Sequence, residues 1–193
     1  MKTGLTKKQK EMLMELARNT IAHDLGLEEL KFSDKDFNEK IFQEKRGVFV
    51  TLEIFGNLRG CIGNIEPVYP LFEAVKRNAH EAAFEDPRFD ALSANEFPDI
   101  TIEISVLTIP QKLEFSSPGD LIKKLKPGKD GVILGKGFFR ATYLPQVWDD
   151  IKDPEQFLSS LSMKAGLDPD IWKNEKVDIS VYQVEKFTEK ELS

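Results

Sequence analysis

The stretch from Gly47 to Gly63 limits the fold more than any other part of the chain. Val48, Val50, Leu52 and Ile54 alternate with Phe49, Thr51, Glu53 and Phe55. That period of two is the mark of a strand with one face on a core. Gly56-Asn57 then supplies turn chemistry, and Leu58-Arg59-Gly60-Cys61-Ile62-Gly63 opens a second strand. A hairpin with one apolar face has to be covered, and amphipathic segments lie on both sides of it in the sequence. The expected class is α+β.

Residues 6–24 read as a helix, with Thr6 and Gln9 as a capping box, Leu13, Leu16, Ala17 and Ile21 on one face, and Gly26 as the stop. Residues 31–46 are charged and carry Phe32, Phe37 and Phe42, which pins them as a loop or short helix. A second helix starts near Pro70 and buries Leu71, Val75, Ala79 and Ala82, ending before Pro87. Ile100, Ile102, Ile104 and Val106 make the clearest strand. Further on, Ser117-Pro118 and Asp153-Pro154 start helices, with short strands at 132–134 and 138–144 around Gly135-Lys136-Gly137. The last strand runs from Val177 to Phe187, and its inward set slips, which predicts a bulge.

The direction of Cys61 depends on loop parity. An even loop centred on Gly56-Asn57 places Cys61 opposite Leu52, on the core side; an odd loop or a bulge at Gly60 places it beside Glu53. A free cysteine is most often a small buried hydrophobe, so the core side is the first expectation.

Composition removes several classes. A net charge of −6, from 27 Lys plus Arg against 33 Asp plus Glu, argues against general nucleic-acid binding. RNA contact would need the lysines from Lys123 to Lys129 with exposed aromatics on one face. Two histidines and one cysteine are too few for a closed zinc site, and no HExxH, CxxC, P-loop or GxGxxG is present. No metal or cofactor is expected. A single cysteine fits a reducing compartment, and no apolar run approaches the roughly 20 residues of a membrane helix. With a polar, Lys-rich start, the expectation is a cytoplasmic protein with no membrane partner.

Four elements carry a resemblance. Leu58-Arg59-Gly60-Cys61-Ile62-Gly63 resembles the signature hexapeptide of the AMMECR family, and Asp86-Pro87-Arg88-Phe89 is similar to an element that accompanies it. The run Ala141-Thr142-Tyr143-Leu144-Pro145-Gln146-Val147-Trp148 resembles a third, with Tyr143 where the family writes Phe. Lys164-Ala165-Gly166-Leu167 followed by Trp172 resembles the family's C-terminal pattern. The likeness runs from about Gly47 to Phe187. It implies one α+β domain over 1–193: a mixed or antiparallel sheet with packed helices in a larger lobe, about 1–114 plus 171–193, and a smaller α+β lobe at about 115–170. The family has no assigned activity. Its members often occur beside a Memo-like protein and a radical-SAM protein, which implies a shared pathway or complex.

Two functions fit the hexapeptide. As a binding module, the chain would hold a small molecule or partner protein with Arg59, Gly60, Gly63, Asp86, Arg88, Gln146 and Trp148, Arg59 clamping an anion. As an enzyme, it would use Cys61 as nucleophile or thiolate beside Arg59 and Arg88, with His80, Glu66 or Asp86 as base. The two glycines would let a ligand approach the backbone. Binding is the preferred reading.

Overall fold

The structure, a computed structural model, describes residues 4–192 and divides into two units, each with its own sheet and core. The first unit holds the chain up to Thr108 and again from Glu185; the second is Ile109–Val184. These divisions differ from the expected lobe limits near 114 and 171.

Helix α1 (Lys7–Asp24) begins as its sequence dictates. Thr6 Oγ1 accepts the Gln9 N–H at 3.3 Å, and Gln9 Oε1 accepts the Thr6 N–H at 2.9 Å. Gly26, at φ 71°, turns the chain out of the helix. A 3-10 turn (Asp34–Phe37) and α2 (Lys40–Gln43) follow. Phe37 stacks on Phe72 at 5.4 Å and meets Phe42 edge-on at 5.2 Å, so ring packing anchors a charged segment. Strands β1 (Val48–Ile54) and β2 (Asn57–Asn64), helix α3 (Leu71–Phe84) and strand β3 (Ile100–Leu107) complete this passage.

The second unit contains β4 (Gln111–Lys112), α4 (Pro118–Lys124), β5 (Gly131–Lys136), β6 (Phe139–Tyr143), α5 (Val147–Asp150), α6 (Pro154–Lys164), α7 (Ile171–Asn174) and β7 (Asp178–Tyr182). Its sheet has the order β4-β7-β5-β6 with antiparallel pairs. Leu121, Val132, Leu134, Trp148, Phe157, Leu161, Trp172 and Ile179 form its core. Then β8 (Val184–Thr188) and α8 (Glu189–Leu192) return to the first unit, whose sheet order is β2-β1-β3-β8. Helices α1 and α3 pack together, and α3 covers β1 and β2, burying Val48, Val50, Leu52, Leu71, Val75 and Ala79.

Three local expectations are corrected. The β1–β2 loop is Phe55-Gly56, with both residues at positive φ (51° and 79°), and Asn57 is already in β2. That double positive φ is what a tight two-residue hairpin loop needs for its twist. In the β5–β6 hairpin the loop is likewise Gly137-Phe138, because Lys136 pairs with Phe139. The slipped inward set after Val177 marks no bulge: the strand breaks at Gln183, where the chain leaves one sheet for the other.

Candidate functional site

Strand β2 lies at the edge of the first sheet, and its register with β1 decides where the hexapeptide points. Leu52 pairs with Gly60, while Glu53 pairs with Leu58, which leaves Arg59 as the extra residue of a bulge. Cys61 therefore stands opposite Thr51, not Leu52. It belongs to the face of Phe49, Thr51 and Glu53, away from the buried Val48, Val50 and Leu52. The expectation of a core cysteine is overturned: Cys61 is half-buried, and the Thr51 hydroxyl lies 3.2 Å from its Sγ.

The glycines answer to packing. A Cβ on Gly60 would sit 2.0 Å from the carbonyl oxygen of Ala82, so only glycine lets α3 lie directly on β2. At Gly63 a Cβ would fall 2.4 Å from the ring of Phe49, its cross-strand partner. The space expected for a ligand at these two positions is filled by the protein itself.

Arg59, expected as an anion clamp, already holds a carboxylate. Its Nε donates to Glu96 Oε1 at 2.7 Å and a terminal nitrogen donates to Glu96 Oε2 at 3.2 Å, with a further bond to the Asp90 carbonyl at 3.0 Å. The Arg59 guanidinium, helped by the Ser93 N–H, lowers the Glu96 carboxyl from 4.5 to about 2 against the cost of burial.

Asp86 and Arg88 form a clip on the strand edge. Buried Asp86 accepts the Cys61 N–H at 2.8 Å, and Arg88 donates to the Cys61 carbonyl at 3.1 Å. Arg88 also gives Asp86 two side-chain bonds, at 2.6 and 2.9 Å, and its own N–H at 3.1 Å. The Arg88 guanidinium first, then the Cys61 N–H, hold the Asp86 carboxyl far below the ordinary range, and Asp86 in turn raises Arg88. The pair occupies the donor and acceptor that an edge strand would otherwise leave open at Cys61. Phe89 completes the loop, with the Arg59 and Arg88 guanidiniums 5.8 and 5.5 Å from its ring centre.

The remaining candidates lie elsewhere. Trp148 is 3% exposed, stacks on Phe157 at 3.7 Å and donates to the Asp130 carbonyl at 2.8 Å, all within the second unit's core. Gln146 is exposed just before α5. His80 does not serve Cys61 as a base. Its Nδ1 is 2.8 Å from Asp24 and its Nε2 is 3.4 Å from Glu85, in a groove of about 600 Å³ lined from α1 and α3. Since α3 covers the opposite face of the sheet, the sheet separates this imidazole from the sulfur. His23 reaches the same Asp24 at 3.1 Å. Ionised, salt-bridged Asp86 is a poor base, and Glu66 is exposed. Among the described residues no group of three or more His, Cys, Asp or Glu is arranged to hold a metal ion.

Sequence reading missed Glu96, Thr51 and Asn78. The Ser93-to-Glu96 spacing was the available signal for the first: Ser93 N–H and Oγ both donate to Glu96, at 2.9 and 2.8 Å. Asn78 stands inside the apolar stripe of α3 and links the Val48 carbonyl (2.9 Å) to Asn64 Oδ1 (3.1 Å) under the end of the hexapeptide.

The AMMECR1 family pattern matches residues 14–187. A protein of Methanothermobacter thermautotrophicus is 42% identical over 187 residues, covering 96% of each chain, and one of Methanococcus aeolicus is 45% identical over 160 residues, covering 79% of this chain and 77% of its own. The crystal structure of an uncharacterised protein from Pyrococcus horikoshii superposes with a TM-score of 0.70 at 37% identity, covering 94% of this chain and 91% of that one. Its fold is that of the α+β architecture described above, and the chain belongs to the AMMECR1 family.

Proposed function

We propose that this chain is a binding module for a small molecule or partner protein, and that its contact surface is the outer face of the first sheet around Cys61. One observation carries the reading: the bulge at Arg59 turns Cys61 outward, and the Asp86–Arg88 clip fastens its backbone there. The sulfur meets a neutral hydroxyl, with no imidazole and no free carboxylate among its described partners. A thiol so placed offers a polarizable, half-open contact and has no base to activate it. Thr51 takes the place in this surface that the sequence suggested for Gly60 and Gly63, and Arg88 keeps the binding role already expected of it. Gln146 remains an exposed candidate contact on the second unit, while Trp148 acts through its core. Memo-like and radical-SAM proteins are the partners that the resemblance puts first.

The test is chemical. A small alkylating agent is expected to label Cys61 in the native chain without unfolding it. A bulky maleimide at the same sulfur should then block capture of a purified Memo-like or radical-SAM partner, with Cys61→Ala as the control that keeps the fold. A sulfur that reacts only after denaturation would defeat the reading.

A further inference from the structure

We propose that the tip of the β5–β6 hairpin is a contact for an anionic lipid surface. Phe138 is fully exposed and Phe139 is 55% exposed, two adjacent rings at the end of a two-residue loop. Gly137, at φ 60°, meets the demand of the turn, and nothing in turn geometry asks for an aromatic ring after it. Phe139 leans toward the end of α6, where its ring is 3.7 Å from the place a Cβ on Gly166 would take. Met163, 57% exposed, adds apolar surface on that helix.

Cations border the rings. Arg140 is exposed directly after Phe139, Lys136 precedes the turn and pairs with Glu175, and Lys164 reaches the Thr142 carbonyl at 3.0 Å. Of the nearby acids, Glu175 and Lys136 neutralise each other, which leaves Arg140 and Lys164 as the border's cations, and Asp178, in the same groove as Phe139 and Arg140, has Lys112 3.9 Å away. Two rings on a convex turn fit either a fluid medium or a deep pocket. The basic border favours the fluid one, where rings enter the acyl boundary while Arg and Lys stay among anionic headgroups. No helix among the described residues is long and apolar enough to cross a membrane. Surface contact needs no such helix, and such a contact departs from the expectation of no membrane partner. With a net charge of −6 the chain as a whole is repelled by such a surface, so binding should be weak and fall as salt screens the border.

The experiment uses the full chain with vesicles of phosphatidylcholine alone or mixed with phosphatidylglycerol. Co-sedimentation is expected with the mixed vesicles and should decline with added salt. Trp148 and Trp172 are 3% and 1% exposed, so in Phe138→Trp a brominated lipid quenches residue 138 selectively. Its emission should shift to the blue and be quenched on mixed vesicles. Phe138→Ser with Phe139→Ser should lower binding by about tenfold or more, and Arg140→Glu should lower it on mixed vesicles only. Phe138 is fully exposed, so its variants keep the fold, which circular dichroism checks. No sedimentation with either vesicle, or binding with residue 138 unchanged in emission, would overturn the proposal. So would a tip that binds a protein pocket and no lipid.

Discussion

Glu96 shows how one side chain changes the reading of another. Arg59 has the charge and the fork of an anion clamp, but that fork is filled by Glu96 and the Asp90 carbonyl. The pair has a signature in pH. Glu96 is lowered from 4.5 to about 2, so its stabilising share is complete above pH 4.5 and is lost as pH falls from there toward 2. Its side chain is 35% exposed, and screening limits that share to about 1 kcal/mol. Urea midpoints measured at steps through this window should fall for the native chain, and Glu96→Gln should flatten that part of the curve. An unchanged slope in the variant would show that Arg59 holds Glu96 only loosely and is available to a ligand. Phe55 is the opposite case: a bulky residue at φ 51° and 83% exposed, so the turn it occupies is strained and its ring has no packing return.

Among the elements, strand β2 and the loop after α3 act as one device, although 25 residues separate Cys61 from Asp86. The expected result of Asp86→Ala is a loss of about 2–3 kcal/mol in chemical denaturation, because the Cys61 N–H and the Arg88 guanidinium both lose their acceptor. Asp86→Asn keeps an acceptor for the N–H and should cost less. Equal losses in both would mean that the ion pair, and not the backbone bond, secures the strand. How far this could be read from sequence follows from the range of each interaction. The capping box at Thr6, the alternation of β1 and β3, and the Asp153-Pro154 helix start rest on neighbours within a few residues, and they stand as read. The hexapeptide's direction turned on a single bulged residue, and Gly60 on a helix backbone 22 residues away, which no local pattern encodes. Likewise the phase slip after Val177 was visible, but an internal bulge and a change of sheet leave the same trace in one sequence.

At the scale of the whole chain, the second unit is an insertion between two neighbouring strands of the first. Strand β3 ends at Leu107, the chain leaves at Ile109, and β8 takes its place beside β3 when it returns. Lys186 pairs with Glu103, while Glu189 accepts the Ile102 N–H. Sequence number rises along β8 as it falls along β3, so the point of exit and the point of return lie close together. The first unit also closes its own core, from Leu13 and Ile21 through Val50 and Ile104 to Phe187. Replacing residues 109–184 by a short hairpin loop should therefore leave a chain that unfolds cooperatively, with its helix and sheet signals intact. Such a chain keeps β1, β2 and the Asp86–Arg88 clip, so Cys61 should still be labelled in the native state and shielded less than a core residue. A molten product would mean that the second core is needed to hold β8 against β3, and the two units would then have to be treated as one folding unit.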